Sequence, residues 1–377
     1  MPSQSANPFK PSAGANPPLL VGRDDVLDSW SESLRDGPGA PGRITIFTGA
    51  RGVGKTVMLN EVGELSTSQG WLVIHETATK GVVDRIRQAV SRFIELQDPG
   101  PTRRITGVTL PMGMGGVTTT LPATSAPEMG EELRLLLDML REHETGLLVT
   151  LDEIHQGARD ELRHIAALTQ HMIREDRDFA VAMAGLPAAV SSVLSDDVTT
   201  FLRRADKHTL ADVAVVEVEA ALGTTIAETG RTIDGAALRM SAEATGGYPF
   251  LIQLVGYHVW RLATADHITA QAAEEGIDAA RRRFGSLVHE PGLADLSQVD
   301  RTFLAAMAVD DGPSRIADVI RRLGVDSQYA NVYRTRLIEA EVIDSTGHGR
   351  IDFALPYLRE YLRDHAATLG ITIPTNP

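Results

Sequence analysis

Eight consecutive residues, Gly49-Ala50-Arg51-Gly52-Val53-Gly54-Lys55-Thr56, satisfy the pattern G-x-x-x-x-G-K-[S/T] in full. These residue types suit one chemistry. Glycines let backbone N–H groups turn inward around an oxyanion, and a helix N-terminus behind them adds partial positive charge. A lysine then reaches the outer phosphates, and a threonine hydroxyl holds Mg2+. The apolar run 44–48 precedes the loop, and a helix-compatible stretch, 57–65, follows it. That context predicts a phosphate-binding loop. Gly49, Arg51, Gly52, Val53, Gly54, Lys55, Thr56 and Val57 are its expected nucleotide-binding residues. The chain has only four lysines, Lys10, Lys55, Lys80 and Lys207, and one of them stands where phosphate chemistry needs it.

A second signal lies about a hundred residues downstream. The apolar run 147–151 ends in Asp152-Glu153. The first carboxylate suits the Mg2+ shell, beside Thr56, and the second suits orienting or deprotonating an attacking water. Asp152-Glu153-Ile154-His155 also reads as a DExH box, but the remaining length offers no second helicase-type domain. His155 is read as structural or sensor-side. The other histidines have no metal-ligand spacing.

The elements that must carry these residues follow from periodicity. Short apolar runs at 44–48, 71–75, 147–151 and 179–184 alternate with helical stretches such as 161–174, where Leu162, Ile165, Ala166, Met172 and Ile173 share a face. This predicts an α/β P-loop NTPase core, a parallel sheet flanked by helices, over residues 19–210. Residues 1–18, rich in Pro, Ser and Asn, read as a flexible lead-in. Residues 101–127 read as a hairpin insertion. Residues 211–285 read as all helical, broken at Gly246-Gly247-Tyr248-Pro249, and 286–295 as a linker.

Residues 296–368 start afresh at the capping signal Ser297-Gln298-Val299-Asp300 and read as three helices and a hairpin, with a tail at 369–377. This is winged-helix logic. Ser314 and Ser327 are expected helix caps. Tyr329, Val332, Tyr333, Leu337 and Ala340 are the expected buried stripe of the last helix, with Asn331, Arg334, Thr335 and Ile338 outward. On double-stranded DNA, Asn331, Arg334 and Thr335 would enter the major groove, and Arg350 would approach a phosphate beside the hairpin tip.

Composition sets outer bounds. The chain has 377 residues, 43% hydrophobic and 23% charged, an ordinary globular composition. No apolar run approaches the ~20 residues that span a bilayer. The N-terminus lacks a basic-then-apolar leader, so no membrane partner and a cytoplasmic location are expected. Cysteine is absent, which excludes disulfides and a thiolate nucleophile. A net charge of −14 argues against nonspecific coating of nucleic acid.

The phosphate loop and the Asp-Glu pair resemble those of the AAA+ and STAND group of P-loop ATPases. The order of elements is similar to archaeal ATPases and Orc/Cdc-type initiators with a C-terminal winged helix. The resemblance implies ATP (or ADP) and Mg2+ as ligands. It implies that Val21, Gly22 and Arg23 belong to a box packing near the adenine, and that Pro249 lies by the nucleotide in a helical lid, 211–285. It also implies that Arg203 or Arg204 reaches the ATP of a neighbouring subunit in a nucleotide-dependent homo-oligomer. Two departures stand out. The lid lacks the initiators' sensor arginine, and Met183-Ala184-Gly185-Leu186-Pro187 lacks a polar first sensor, which points to slow hydrolysis. The expected function is Mg-ATP binding that gates assembly or conformational change on DNA. The alternative is a signalling or defence switch whose winged helix docks proteins.

Overall fold

The computed structural model describes residues 6–12, 14–97, 129–195, 202–263 and 266–373. The expected 101–127 insertion lies outside the described residues. The chain divides into two units. One comprises residues 26–48 and 59–208, and the other 1–25, 49–58 and 209–377.

The first unit holds the sheet. Helix α1 (Asp24–Arg35) enters it, followed by β1 (Ile44–Thr48), α2 (Lys55–Ser68), β2 (Leu72–Thr77), α3 (Val82–Gln97), α4 (Met129–Arg141), β3 (Leu147–Ile154), α5 (Arg159–Arg174), β4 (Phe179–Gly185), α6 (Pro187–Leu194) and β5 (Asp206–Thr209). The strand order is β2-β3-β4-β1-β5. The pairs β2·β3, β3·β4 and β1·β4 are parallel. β1 and β4 are buried along their whole length, as strands covered on both faces must be. Ile46, Val149, Leu151, Val181 and Met183 form the middle of one core with Ile86, Leu133 and Leu162 from the helices. The four apolar runs therefore fold as expected. In register, Thr48 stands beside Gly185, and Thr77 beside Asp152. Loops and side chains that do chemistry on such sheets gather at these carboxyl ends.

Under the sheet's other end, Arg43 is a buried charge, 1% exposed. Its guanidinium donates to the Ser33 and Leu34 carbonyls and to Asp178, and lies over the Trp71 ring. A charge buried this deeply is tolerable only when so fully partnered.

The second unit continues with α7 (Val215–Glu228), β6 (Thr232–Ile233), α8 (Gly235–Glu243), α9 (Pro249–Leu262), β7 (His267–Ile268) and α10 (Ala270–Phe284). Leu222, Leu251, Val255, Ile277 and Phe284 make its core. Residues 286–295, read as a linker, are largely helical. A π-helical turn (Gly285–His289) runs from α10 into α11 (Glu290–Ala294), and Leu293 is buried. Pro291 lies in the first turn of α11, and the wider π-helical turn before it is where the run accommodates a residue with no N–H. Within the lead-in, residues 7–10 are seated on α9. Phe9 is 3% exposed and packs against Gly256 of α9, Asn7 Nδ2 donates to the Tyr257 carbonyl, and the Lys10 N–H donates to Gln253 Oε1.

The same unit ends in α12 (Gln298–Met307), β8 (Ser314–Arg315), α13 (Ile316–Leu323), α14 (Ser327–Glu339), β9 (Ile343–Gly347), β10 (Arg350–Phe353) and α15 (Leu358–Asp364). β10 pairs antiparallel with both β8 and β9. The Ser297–Asp300 capping box forms as read. Two other caps shift. Ser314 lies in β8 and donates to the Met307 carbonyl, and Asp326 rather than Ser327 caps α14. The buried stripe of α14 is also corrected. Ala330 and Leu337 are buried, Ile338 packs on the core, and Tyr329 and Val332 are exposed.

Candidate functional site

The loop after β1 takes the form its glycines predict. Gly49, Gly52 and Gly54 all have φ in the left-handed half, at 148°, 76° and 93°. Gly52 is glycine for a second reason: a β-carbon there would stand 2.0 Å from Tyr248 Oη. α2 begins at Lys55, so the loop sits on a helix N-terminus with its partial positive charge. Lys55 Nζ donates to the carbonyls of Gly49 and Ala50, each at 2.7 Å, which holds the ammonium over the loop. Val53 is buried and anchors the loop. Thr56 and Val57, both half-buried, open α2. A glycine-lined cradle, an ammonium and a hydroxyl on a helix start together fit the triphosphate and Mg2+ of a nucleotide.

The helical part of this unit meets the loop through Tyr248. Its hydroxyl donates to the Arg51 carbonyl at 2.7 Å. Burial pushes the phenol up, with the charges of Asp212 and Glu341 adding to the effect, so Tyr248 remains a donor at any physiological pH. The preceding Gly247, at φ 81°, leaves no room for a side chain, because a β-carbon would meet the Val213 carbonyl at 2.0 Å. The Gly247 carbonyl accepts from the Val213 N–H. Pro249 is the first residue of α9, with Tyr248 as its cap. The Gly-Gly-Tyr-Pro motif thus delivers a tyrosine to the loop. Sequence reading chose Pro249 and passed over Tyr248; the double glycine before an aromatic was the available signal.

The strip 210–213 joins the other expected pieces. The Leu210 carbonyl closes over Gly49. The Ala211 carbonyl accepts from the Arg23 guanidinium, and Gly22 abuts Glu217. Val21 packs on the helical core. Burial lowers the Arg23 pKa, opposed by the charges of Asp212 and Glu217. Val21, Gly22 and Arg23 are therefore built into the same unit as the loop.

A further residue reaches the loop from the far end of the chain. Glu341, just after α14, accepts a hydrogen bond from the Arg51 N–H through Oε2 at 3.0 Å. No feature of the sequence pointed to it.

In the sheet unit, Asp152 and Glu153 close β3. The ladder to β4 is interrupted between Leu151 and Ile154, and Glu153 has φ 55°. That kink turns Glu153 out to solvent, while its N–H bonds Asp152 Oδ1 at 2.8 Å. The irregularity is what a strand does to aim one side chain out of its pleat. β4 ends at Gly185, where a β-carbon would stand 2.5 Å from the Ile154 side chain. A polar sensor side chain cannot be accommodated there without displacing Ile154. Arg203 and Arg204 are exposed before β5. Arg203 Nε donates to the Leu194 carbonyl at 2.8 Å. Among the described residues no group of three or more His, Asp or Glu could hold a metal alone. Mg2+ does not require one, since it is commonly held by one or two protein oxygens together with phosphates and water.

The residues read as DNA contacts sit in the C-terminal module. Asn331, Thr335 and Arg350 are exposed, and Arg334 is half-buried, with its Nε buried and unpartnered.

Residues 286–362 match a family model described as a domain of unknown function (DUF8462). No curated protein matches the chain. Among solved structures, the Walker-type ATPase PABY2304 of Pyrococcus abyssi is similar over 91% of this chain and 96% of its own, at 14% identity and a TM-score of 0.65. The ORC2 protein of Aeropyrum pernix, solved as ADPNP–ADP complexes, is similar over 96% and 98%, at 15% identity and a TM-score of 0.60. At such identities the likeness is one of fold: a parallel sheet flanked by helices, the α/β P-loop NTPase fold.

Proposed function

We propose that the chain binds Mg-ATP and hydrolyses it slowly, using the nucleotide to switch its conformation or assembly. The observation that carries this is the complete loop from Gly49 to Thr56, folded at a strand end and helix start with Lys55 held over it. The adenine-nucleotide complexes of the ORC2 structure support the choice of base. In this reading Thr56 and Asp152 hold Mg2+, and Glu153 orients the attacking water. Val21, Gly22, Arg23, Tyr248 and Pro249 form the rest of the nucleotide's surroundings. The apolar end of β4 supports slow turnover, because no side chain there can fix the water's second hydrogen bond. Arg204, the exposed partner of an Arg203 already engaged with Leu194, is our choice for an arginine acting on a neighbouring copy.

Lys55→Ala tests the assignment. Loss of a charge-assisted contact to phosphate should cost about 2–3 kcal/mol, a fall in affinity near a hundredfold, with the far-UV circular dichroism unchanged. Titration with a fluorescent ATP analogue measures it, and near-normal affinity would overturn the assignment.

For the C-terminal module we favour a protein partner over duplex DNA. Tyr329 and Val332 are 43% and 60% exposed on the helix that would have to enter a major groove, and Arg334 is half-buried there. An apolar pair of this kind suits a protein surface better than a phosphate backbone. Anisotropy with random duplex in each nucleotide state is the test, and tight, salt-dependent binding lost in Arg350→Ala would restore the DNA reading.

A further inference from the structure

Glu341 occupies a backbone position that disfavours its own side chain. It follows the last turn of α14: the Glu341 N–H bonds the Ile338 carbonyl, and the Val342 N–H bonds the Leu337 carbonyl. A helix that ends this way places one residue in the left-handed conformation, usually glycine. The turn after α13 has Gly324 there, at φ 65°. After α14 the residue is Glu341, at φ 57°. Its carboxylate is also turned inward. Oε2 accepts from the Arg51 N–H, while Oε1 is buried without a hydrogen-bond partner. Burial raises the pKa of the carboxyl, and the strongest influence holding it ionised is the charge of Lys55, ahead of the Arg51 N–H. A strained turn and a partly desolvated acid both cost free energy, and neither is needed to end a helix.

Glu144 and Asp176 end α4 and α5 in the same left-handed turn, so what sets Glu341 apart is its inward carboxylate, and what that carboxylate contacts accounts for it. The phosphate loop is an anion site, and a carboxylate is an anion with the same acceptor chemistry as a phosphate oxygen. We infer that Glu341 is an internal latch: its carboxylate takes a loop amide and the field of Lys55 that a nucleoside di- or triphosphate would use, so nucleotide and Glu341 compete for the loop. The inference rests on the assignment of residues 49–56 to nucleotide. A nucleotide brings more charge and more acceptors, and therefore displaces the carboxylate. Val342 and Ile343, next in the chain, are buried in the core of the C-terminal module. Expelling Glu341 thus pulls on the α14–β9 turn and couples nucleotide binding to that module. The latched population lowers apparent affinity in proportion.

The test compares the full-length wild type with Glu341→Gly and Glu341→Gln. Glycine suits the left-handed turn, so that variant is expected to fold and to melt no lower than the wild type. Glutamine keeps an acceptor and loses the charge. Fluorescent ADP and ATP analogues and, in competition, inorganic pyrophosphate are titrated against each protein. Hydrogen exchange is followed in peptides covering 49–58 and 339–347. The expected result is about tenfold tighter nucleotide binding by Glu341→Gly, an intermediate gain for Glu341→Gln, and faster exchange of the loop amides in nucleotide-free Glu341→Gly. Adding nucleotide to the wild type should speed exchange in 339–347. If the wild type binds nucleotide and the variants bind it equally or less tightly, with loop exchange unchanged, the latch is wrong and the nucleotide assignment stands. If no protein of the set binds nucleotide or pyrophosphate, the assignment itself falls, and the latch with it.

Discussion

Tyr248 Oη and the Arg51 carbonyl are hydrogen-bonded at 2.7 Å across 197 positions of chain. The contact joins the start of α9 to the middle of the phosphate loop, and Gly52 leaves the space for it. A carbonyl so engaged fixes the peptide between Arg51 and Gly52 and so restrains the middle of the loop. Tyr248→Phe removes one neutral hydrogen bond and should cost about 1 kcal/mol, a severalfold loss of nucleotide affinity. Gly52→Ala should do more, because its β-carbon meets the Tyr248 hydroxyl and its φ of 76° suits glycine. We expect no measurable binding by Gly52→Ala in a fluorescent-nucleotide titration. Equal affinities for Tyr248→Phe and wild type would show that the tyrosine merely fills space.

The loop was legible because everything that defines it is local: an apolar strand, eight residues of fixed type and a helix start. The parallel order of the sheet was legible for a similar reason, since four separate apolar runs alternate with amphipathic helices. Tyr248 and Glu341 were not legible. Each acts through a contact nearly 200 residues or more away, and neither belongs to a pattern with a period. α14 misled in a different way. Its buried side carries Ala330 and Leu337, while Tyr329 and Val332 are exposed. Counting apolar residues therefore rotates the helix by about one position. The same weakness hid the seat of Phe9, a single aromatic in a Pro- and Ser-rich segment.

Acid stability of the sheet unit should depend on Glu175. Its carboxylate accepts from Arg134 and Arg177, and these bonds, Arg134's first, hold its pKa down to about 2 from an ordinary 4.5. A pKa lowered in the folded state gives stability that is complete above about 4.5 and is lost as the pH falls towards 2. Glu175→Gln should therefore melt lower than wild type at pH 6, with the difference shrinking as the pH approaches 2. Thermal melts at pH 6, 4 and 3 decide it. A deficit that does not vary with pH would assign the loss to packing instead.

The two arginines before β5 should separate by experiment. Arg203 serves its own chain through the Leu194 carbonyl, so Arg203→Ala is expected to lower the melting temperature slightly and leave assembly unaffected. Arg204→Ala should leave the melting temperature alone and reduce turnover. Mixing Lys55→Ala with Arg204→Ala should then restore part of that turnover, because one protein supplies an intact loop and the other an intact arginine. A wild type that remains monomeric with ATP at every accessible concentration would rule out action between copies.

Glu153 offers the sharpest test, because its backbone and its side chain make opposite demands. At φ 55° an L-residue is strained by contact between its β-carbon and its own backbone, and glycine is not. Glu153→Gly should thus be more stable than Glu153→Ala by about 1 kcal/mol, the reverse of the order expected at an unstrained position in a strand. Urea denaturation of the two variants measures the difference directly. Turnover should instead follow the side chain. Glu153→Gln keeps shape and strain but loses the carboxylate we propose orients the water, and it should bind Mg-ATP normally while single-turnover phosphate release falls by two or more orders of magnitude. Glu153→Gly should be as inactive and yet the more stable protein. If glycine and alanine prove equally stable, the kink between Leu151 and Ile154 is not imposed on Glu153. If phosphate release by Glu153→Gln matches wild type, the strain is real but serves something other than hydrolysis.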